Sequence, residues 1–182
     1  PDDARLTELF QRYEFTSWLK ELRGRQLETT NEEAPPPPPA NAAEYETVLD
    51  MARFDEWLAE LAASEVFAFD TETTSLDYMQ ARLVGVSFSH TAGRAAYVPL
   101  AHDYVGVPEQ LDLDTVLAKL RPMLEADTPR KVGHNLKYDR NVLKNHGVDL
   151  RGIAYDTMLE SYVFNSTSGR HDFDSVALKY LG

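Results

Sequence analysis

Leu6, Leu9, Phe10 and Tyr13 recur at the three-and-four spacing of one helix face, and Phe15, Trp18, Leu19 and Leu22 repeat that spacing. The pattern predicts two short amphipathic helices broken near Tyr13-Glu14. So short a piece cannot bury its aromatics alone, so residues 1–23 are expected to belong with a neighbouring domain. Apolar periodicity then disappears over residues 24–43, where Pro35 to Pro39 stand in an unbroken row. Such a row lacks amide donors and favours extended polyproline II, which predicts a semi-rigid linker.

Periodicity returns at residue 44. Tyr45 to Leu49 reads as a short edge strand, and Phe54, Trp57, Leu58 and Leu61 mark one face of a helix. Val66 to Phe69 is an uninterrupted apolar run, the mark of a strand buried on both faces. Ala81 to Ser89 alternates, Arg94 to Leu100 follows, and Gly93 between them suits a hairpin, so these two strands should pair antiparallel. Leu113, Val116, Leu117, Leu120 and Leu124 define a helix with Asp112 as its cap and Pro122 as a kink. Lys131 to His134 is a short strand leading into a helix with Val142, Leu143 and His146, ended by Gly147. Ile153 to Tyr155 is a further strand, Asp156 caps the helix after it, and a last helix runs from near Asp172 to Leu181. Strands interleaved with helices around an early hairpin predict an α/β domain with a mixed sheet over residues 44–182.

At 182 residues and 43% hydrophobic, one domain with a real core plus an extension is affordable. No apolar run approaches the length of a membrane span, and no signal peptide is recognisable. A chain opening on Pro1 reads as a piece of something longer. Cysteine is absent, which removes disulfides and thiolate metal sites and fits a reducing cytoplasm. The net charge of -12 argues against strong nucleic-acid binding by the chain as a whole. Residues 129–152 differ: six Lys or Arg stand against Asp139 and Asp149, a local +4. By itself such a cluster reads as an ordinary solvated helix face.

The chemistry begins where the apolar run ends, at Asp70-Thr71-Glu72. A carboxylate at the end of a buried strand needs a partner or a metal to offset its desolvation. Residues two apart on a strand share a face, so Asp70 and Glu72 point the same way and repel unless a cation lies between them. Hard oxygen ligands favour Mg²⁺ or Mn²⁺. Asn135 and Asp139 lie one helical turn apart at the start of their helix. Asn135 can bond ligand oxygens, and the ring of Tyr138 can stack on a base.

Phe-Asp-Thr-Glu-Thr at 69–73 with Leu76, and Val-Gly-His-Asn-Leu-Lys-Tyr-Asp at 132–139, resemble the first two exonuclease motifs of the bacterial DNA polymerase I family (family A). Supporting stretches lie at 95–104, 156–162 and 169–172, and residues 9–19 resemble the end of the 5′-nuclease segment of the same polymerases. The resemblance implies a ribonuclease H-like fold and a proofreading 3′-to-5′ exonuclease of the four-acid kind, working on DNA in replication and repair in the bacterial cytoplasm, at the nucleoid. It implies that Asp70, Glu72 and Asp139 bind two divalent ions, Mg²⁺ or Mn²⁺, for hydrolysis of the 3′-terminal phosphodiester. Leu76 would wedge against the terminal base, and Asn135, Tyr138 and Arg170 would hold the single-stranded 3′ end. His134, where some relatives have Gln, is expected to hydrogen-bond the strand.

The family's third motif, a Tyr and an Asp, falls beyond Gly182, as does the polymerase domain, so residues 1–182 alone are expected to show little or no nuclease activity. The expected partners are DNA and the polymerase and 5′-nuclease domains of the parent chain. A second reading is a noncatalytic, vestigial module that braces a polymerase; retention of the three acids speaks against it. A ribonuclease H proper would need a different set of acids.

Overall fold

The run that ends in Asp70-Thr71-Glu72 becomes a central strand of a six-stranded mixed sheet. A computed structural model of the chain describes residues 3–13, 15, 18, 22, 43–167 and 169–181. The chain divides into two units, Pro1–Ala40 and Asn41–Gly182. In the first, α1 (Asp3–Arg12) realises the first expected helix. Most of the second expected helix and almost all of the proline-rich linker lie outside the described residues.

In the second unit the strands are β1 (Glu44–Thr47), β2 (Val66–Thr73), β3 (Leu83–Thr91), β4 (Arg94–Pro99), β5 (Arg130–Gly133) and β6 (Ile153–Asp156), in the order β1-β4-β3-β2-β5-β6. The helices are α2 (Met51–Ala63), α3 (Leu113–Leu124), α4 (Leu136–Asn145), α5 (Thr157–Phe164) and α6 (Phe173–Leu181). The expected hairpin is present: β3 pairs antiparallel with both β2 and β4, and Gly93 turns the chain with φ 79°. The parallel pairs β1·β4, β2·β5 and β5·β6 complete the sheet. The domain is therefore α/β, as the patterning predicts.

Helix ends follow local chemistry. Asp50, Asp112 and Asp156 cap α2, α3 and α5 by accepting backbone N–H groups of the first turn, and Gly147, with φ 74°, follows the end of α4. Helix α3 runs on through Pro122 to Leu124. Pro122 and Ala118, whose carbonyl loses its donor, are both exposed, so water can take over the missing bond.

One expectation needs correction. β2 is buried on one face only: Phe67, Phe69 and Thr71 are buried, while Val66 and Ala68 are half-buried and Asp70 and Glu72 are exposed. Phe69 pairs across the sheet with Phe88, and Phe88 meets Phe54 and Trp57 of α2, so that face belongs to the core. The opposite face carries the acids, whose charge keeps it open to water or cations.

A polar network ties α2 to the sheet. Glu46 accepts two bonds from Arg53 and one from Trp57 Nε1, while Glu60 accepts from Arg94, whose guanidinium lies 4.2 Å from the Trp57 ring centroid. These donors hold both carboxyl groups down at about 2, against an ordinary 4.5. A carboxylate depressed in the fold stabilises it above its unfolded pKa and loses that contribution as pH falls toward the folded one. Urea unfolding midpoints are therefore expected to drop between pH 4.5 and 2, and less steeply in Glu60→Gln.

Candidate active site

Three elements bring the site together. β2 supplies Asp70 and Glu72 on one face. β5 pairs with β2 only from Val66 to Ala68, so the strand beyond needs another partner on that side. Asp139, in the first turn of α4 and 2% exposed, provides it: Oδ1 accepts from Thr71 N at 3.0 Å and from Thr71 Oγ1 at 2.6 Å. Helix α4 is itself fixed at its start by Asp156, whose carboxylate accepts from Asn135 N at 3.0 Å and Leu136 N at 2.9 Å while also capping α5. Asn135 takes the left-handed conformation, φ 63°, and its side chain makes no capping hydrogen bond.

Asp70, Thr71, Glu72, Asn135 and Asp139 line a cleft of about 490 Å³ together with Leu76, His134 and Tyr138. Leu76 stands at its mouth, 95% exposed. The ring of Tyr138 is half-buried, and its hydroxyl is bonded to Thr73 Oγ1 at 2.5 Å and to the carbonyl of Ser75. His134 lies at the end of β5, with Nδ1 2.9 Å from Thr157 Oγ1 and its ring edge-on to Phe173.

The electrostatics are those of crowded carboxylates. Burial first, then the charges of Asp139 and Glu72, push the Asp70 carboxyl up to about 6. Burial raises Asp139 as well, against the pull of its bonds to Thr71. Clustered carboxylate oxygens of this kind suit a hard divalent cation, which would relieve the repulsion that Asp70 feels. Among the described residues, however, no three His, Asp or Glu side chains gather closely enough to ligate one ion as they stand.

Two expectations fare differently. Arg170 does not line the cleft; it is exposed and paired with Asp172 at 3.2 Å. The basic stretch is largely engaged in the fold. Lys131 is fully buried with Nζ bonded to Ala126 O, Arg140 and Arg151 both reach Asp149, and Arg130 reaches Glu65. Lys137 and Lys144 remain as exposed cations on α4.

A family model for 3′-5′ exonuclease matches residues 45–182. The chain belongs to the 3′-5′ exonuclease family. The match spans all of the sheet but its first residue, Glu44, and every residue of the cleft. DNA polymerase I of Pseudomonas aeruginosa is 55% identical over 185 positions, covering all of this chain and 20% of the relative. The chain thus spans about a fifth of that polymerase's length. Among solved structures, Pol1 of M. smegmatis in complex with DNA primer-template and dNTP aligns with a TM-score of 0.59 at 23% identity, over 75% of this chain and 22% of that one. Brucella melitensis NrnC with bound Mg²⁺ aligns at 0.54 and 20% identity, over 76% and 61%. At these identities the structures support the fold, which is the ribonuclease H-like architecture the motifs imply.

The exonuclease domain also uses residues that the sequence reading did not single out. Thr71, between the two motif acids, binds Asp139; Thr73 and Ser75 bind Tyr138; Asp156, read only as a helix cap, fixes α4 as well. Their polar type gave a signal, but their partners are 20 to 68 residues away. His146 is another. Its Nε2 accepts from Leu83 N at 3.2 Å, so that nitrogen must be unprotonated, and burial lowers the ring's pKa from 6.5. A histidine kept neutral in the fold loses stability as pH falls below its unfolded pKa. The exonuclease domain is expected to weaken below pH 6.5 in urea unfolding, and His146→Gln, which can still accept, is expected to flatten that slope.

Proposed function

We propose that this domain removes nucleotides from the 3′ end of DNA, with Asp70, Glu72 and Asp139 as the ligands of divalent metal, Mg²⁺ or Mn²⁺. The observation that carries the reading is one cleft lined by three carboxylates, with Asp70 raised by burial first and then by the charges of the other two. Two such ions would supply an activated water and stabilise the departing 3′ oxygen in an in-line displacement. Asp70 and Glu72 present their carboxylates from one strand face, and Thr71 holds the Asp139 carboxylate beside that strand. Leu76 meets the terminal base at the cleft mouth. The Asn135 amide and the Tyr138 ring hold the frayed strand and Arg170 contacts it farther along, while His134, with Nδ1 on Thr157 and Nε2 buried, lines the cleft wall rather than bonding the strand as the resemblance implied.

In this reading residues 1–23 are the tail of a 5′-nuclease segment, 24–43 a linker and 44–182 the exonuclease domain of a longer, cytoplasmic DNA polymerase that acts in replication and repair. The further expectation is that the 182 residues alone show little hydrolysis. The test is a 5′-labelled single-stranded oligonucleotide with Mg²⁺. The longer protein carrying this sequence shortens it stepwise, and EDTA or Asp70→Ala stops the reaction. No shortening overturns the reading, and efficient shortening by the 182 residues overturns the inactivity.

A further inference from the structure

The exposed leucine at the cleft mouth sits on a loop that α4 pins at both ends. At the near end the Tyr138 hydroxyl meets both Thr73 Oγ1, at 2.5 Å, and the carbonyl of Ser75. Ser75 O can only accept, and both hydroxyls reach it, that of Tyr138 and Thr73 Oγ1 at 3.2 Å, so the two hydroxyl protons are shared among three oxygens that close on one another. At the far end, two turns along the same helix, Asn145 Nδ2 donates to Tyr78 O at 2.7 Å. Between these pins the loop closes on itself: Thr74 N reaches Arg82 O at 3.0 Å, and Asp77 N reaches Ser75 Oγ at 3.0 Å. Leu76 itself is 95% exposed, so packing does not fix its position; the loop backbone must.

We infer that the Tyr138 hydroxyl, latched between Thr73 and Ser75, is the positioning group that sets where Leu76 stands relative to the carboxylates. The inference rests on the nuclease reading for the use made of Leu76, and on the hydrogen bonds alone for the latch. Tyr138 then has two separable parts: a ring beside the acids in the cleft and a hydroxyl bonded to the loop at Thr73 and Ser75. Because α4 also carries Asp139, one rigid helix sets both the acid and the apolar side chain. Spacing between reacting phosphate and terminal base becomes a property of α4, and loosening the loop should spoil it without touching the acids.

The experiment uses the 182-residue chain, with Tyr138→Phe, which keeps the ring, Thr73→Val, which removes the other hydroxyl, and Thr73→Ser as the conservative rescue. Amide hydrogen exchange is followed over residues 74–82, and Leu76 methyl and Asn135 amide resonances are followed by NMR during titration with single-stranded oligo(dT) in Mg²⁺. Exchange in the loop is expected to rise roughly tenfold in Tyr138→Phe and Thr73→Val, with no further rise in the double variant and none in Thr73→Ser. The oligonucleotide response of the Leu76 methyls is expected to vanish in the first two variants while that of Asn135 persists. Unchanged loop exchange overturns the latch, and an undiminished Leu76 response overturns its positioning role. If oligo(dT) shifts no resonance in the parent chain, the nuclease reading falls, and loop exchange still decides the latch.

Discussion

Asp156→Ala is expected to cost the domain about 2–4 kcal/mol, the loss of two helix caps at about 1–2 kcal/mol each. One carboxylate closes two helices. Oδ1 accepts from Asn135, Met158 and Leu159, and Oδ2 from Leu136, so four backbone donors would lose their acceptor together. Asp156, Asn135 and Met158 are half-buried and Leu136 is buried, so water replaces the carboxylate poorly at those donors, while Leu159 is exposed. Asp156→Asn separates the contributions: its single carbonyl can keep the Oδ1 set while Leu136 N loses its acceptor, so well under half of the effect is expected. Urea unfolding measures both. A drop below about 1 kcal/mol for the alanine variant would show that the shared cap is not what holds the helices. The damage should also reach the cleft, because Asn135 owes its left-handed backbone in part to the bond from its N–H to Asp156.

Asp139 provides the second large effect, and its two substitutions should part company. In the longer protein, both Asp139→Ala and Asp139→Asn are expected to lower the rate of 3′-end hydrolysis by about a thousandfold, since several kcal/mol of charge stabilisation by bound metal depends on a full set of carboxylates. Stability should move in opposite directions. Alanine leaves the Thr71 N–H and hydroxyl, both buried, without an acceptor, a cost of about 1–3 kcal/mol. Asparagine keeps an oxygen for Thr71 and removes a charge that burial disfavours, so its unfolding midpoint at pH 7 should equal or exceed that of the parent. Steady-state rates on single-stranded DNA and urea midpoints read the two effects apart. A fully active Asp139→Asn would remove Asp139 from the metal site.

The same residue shows why motif and mechanism are not the same information. Asp139 is recognisable in the sequence as an acid at the start of a helix, but its bond to Thr71 spans 68 positions and follows from where β5 stops pairing with β2. Tyr138 is legible as an aromatic ring near the acids; that its hydroxyl faces the loop depends on how α4 lies against residues 73–75. The basic stretch around α4 misleads in the other direction. Its charge is plain in the sequence, yet Lys131 points into the core and three arginines are spent on Asp149 and Glu65.

By itself the sequence determined the α/β class, the β3–β4 hairpin, the caps at Asp112 and Asp156 and the shared face of Asp70 and Glu72. All of these follow from periodicity and from hydrogen bonds within a few residues, which the local chain dictates. Tertiary structure alone decided that one face of β2 stays open, that Asp156 serves two helices, that Asp139 locks onto Thr71 and that Arg170 stands outside the cleft. Those outcomes depend on which distant elements the core brings side by side, and a buried polar group takes whichever partner that packing leaves within reach.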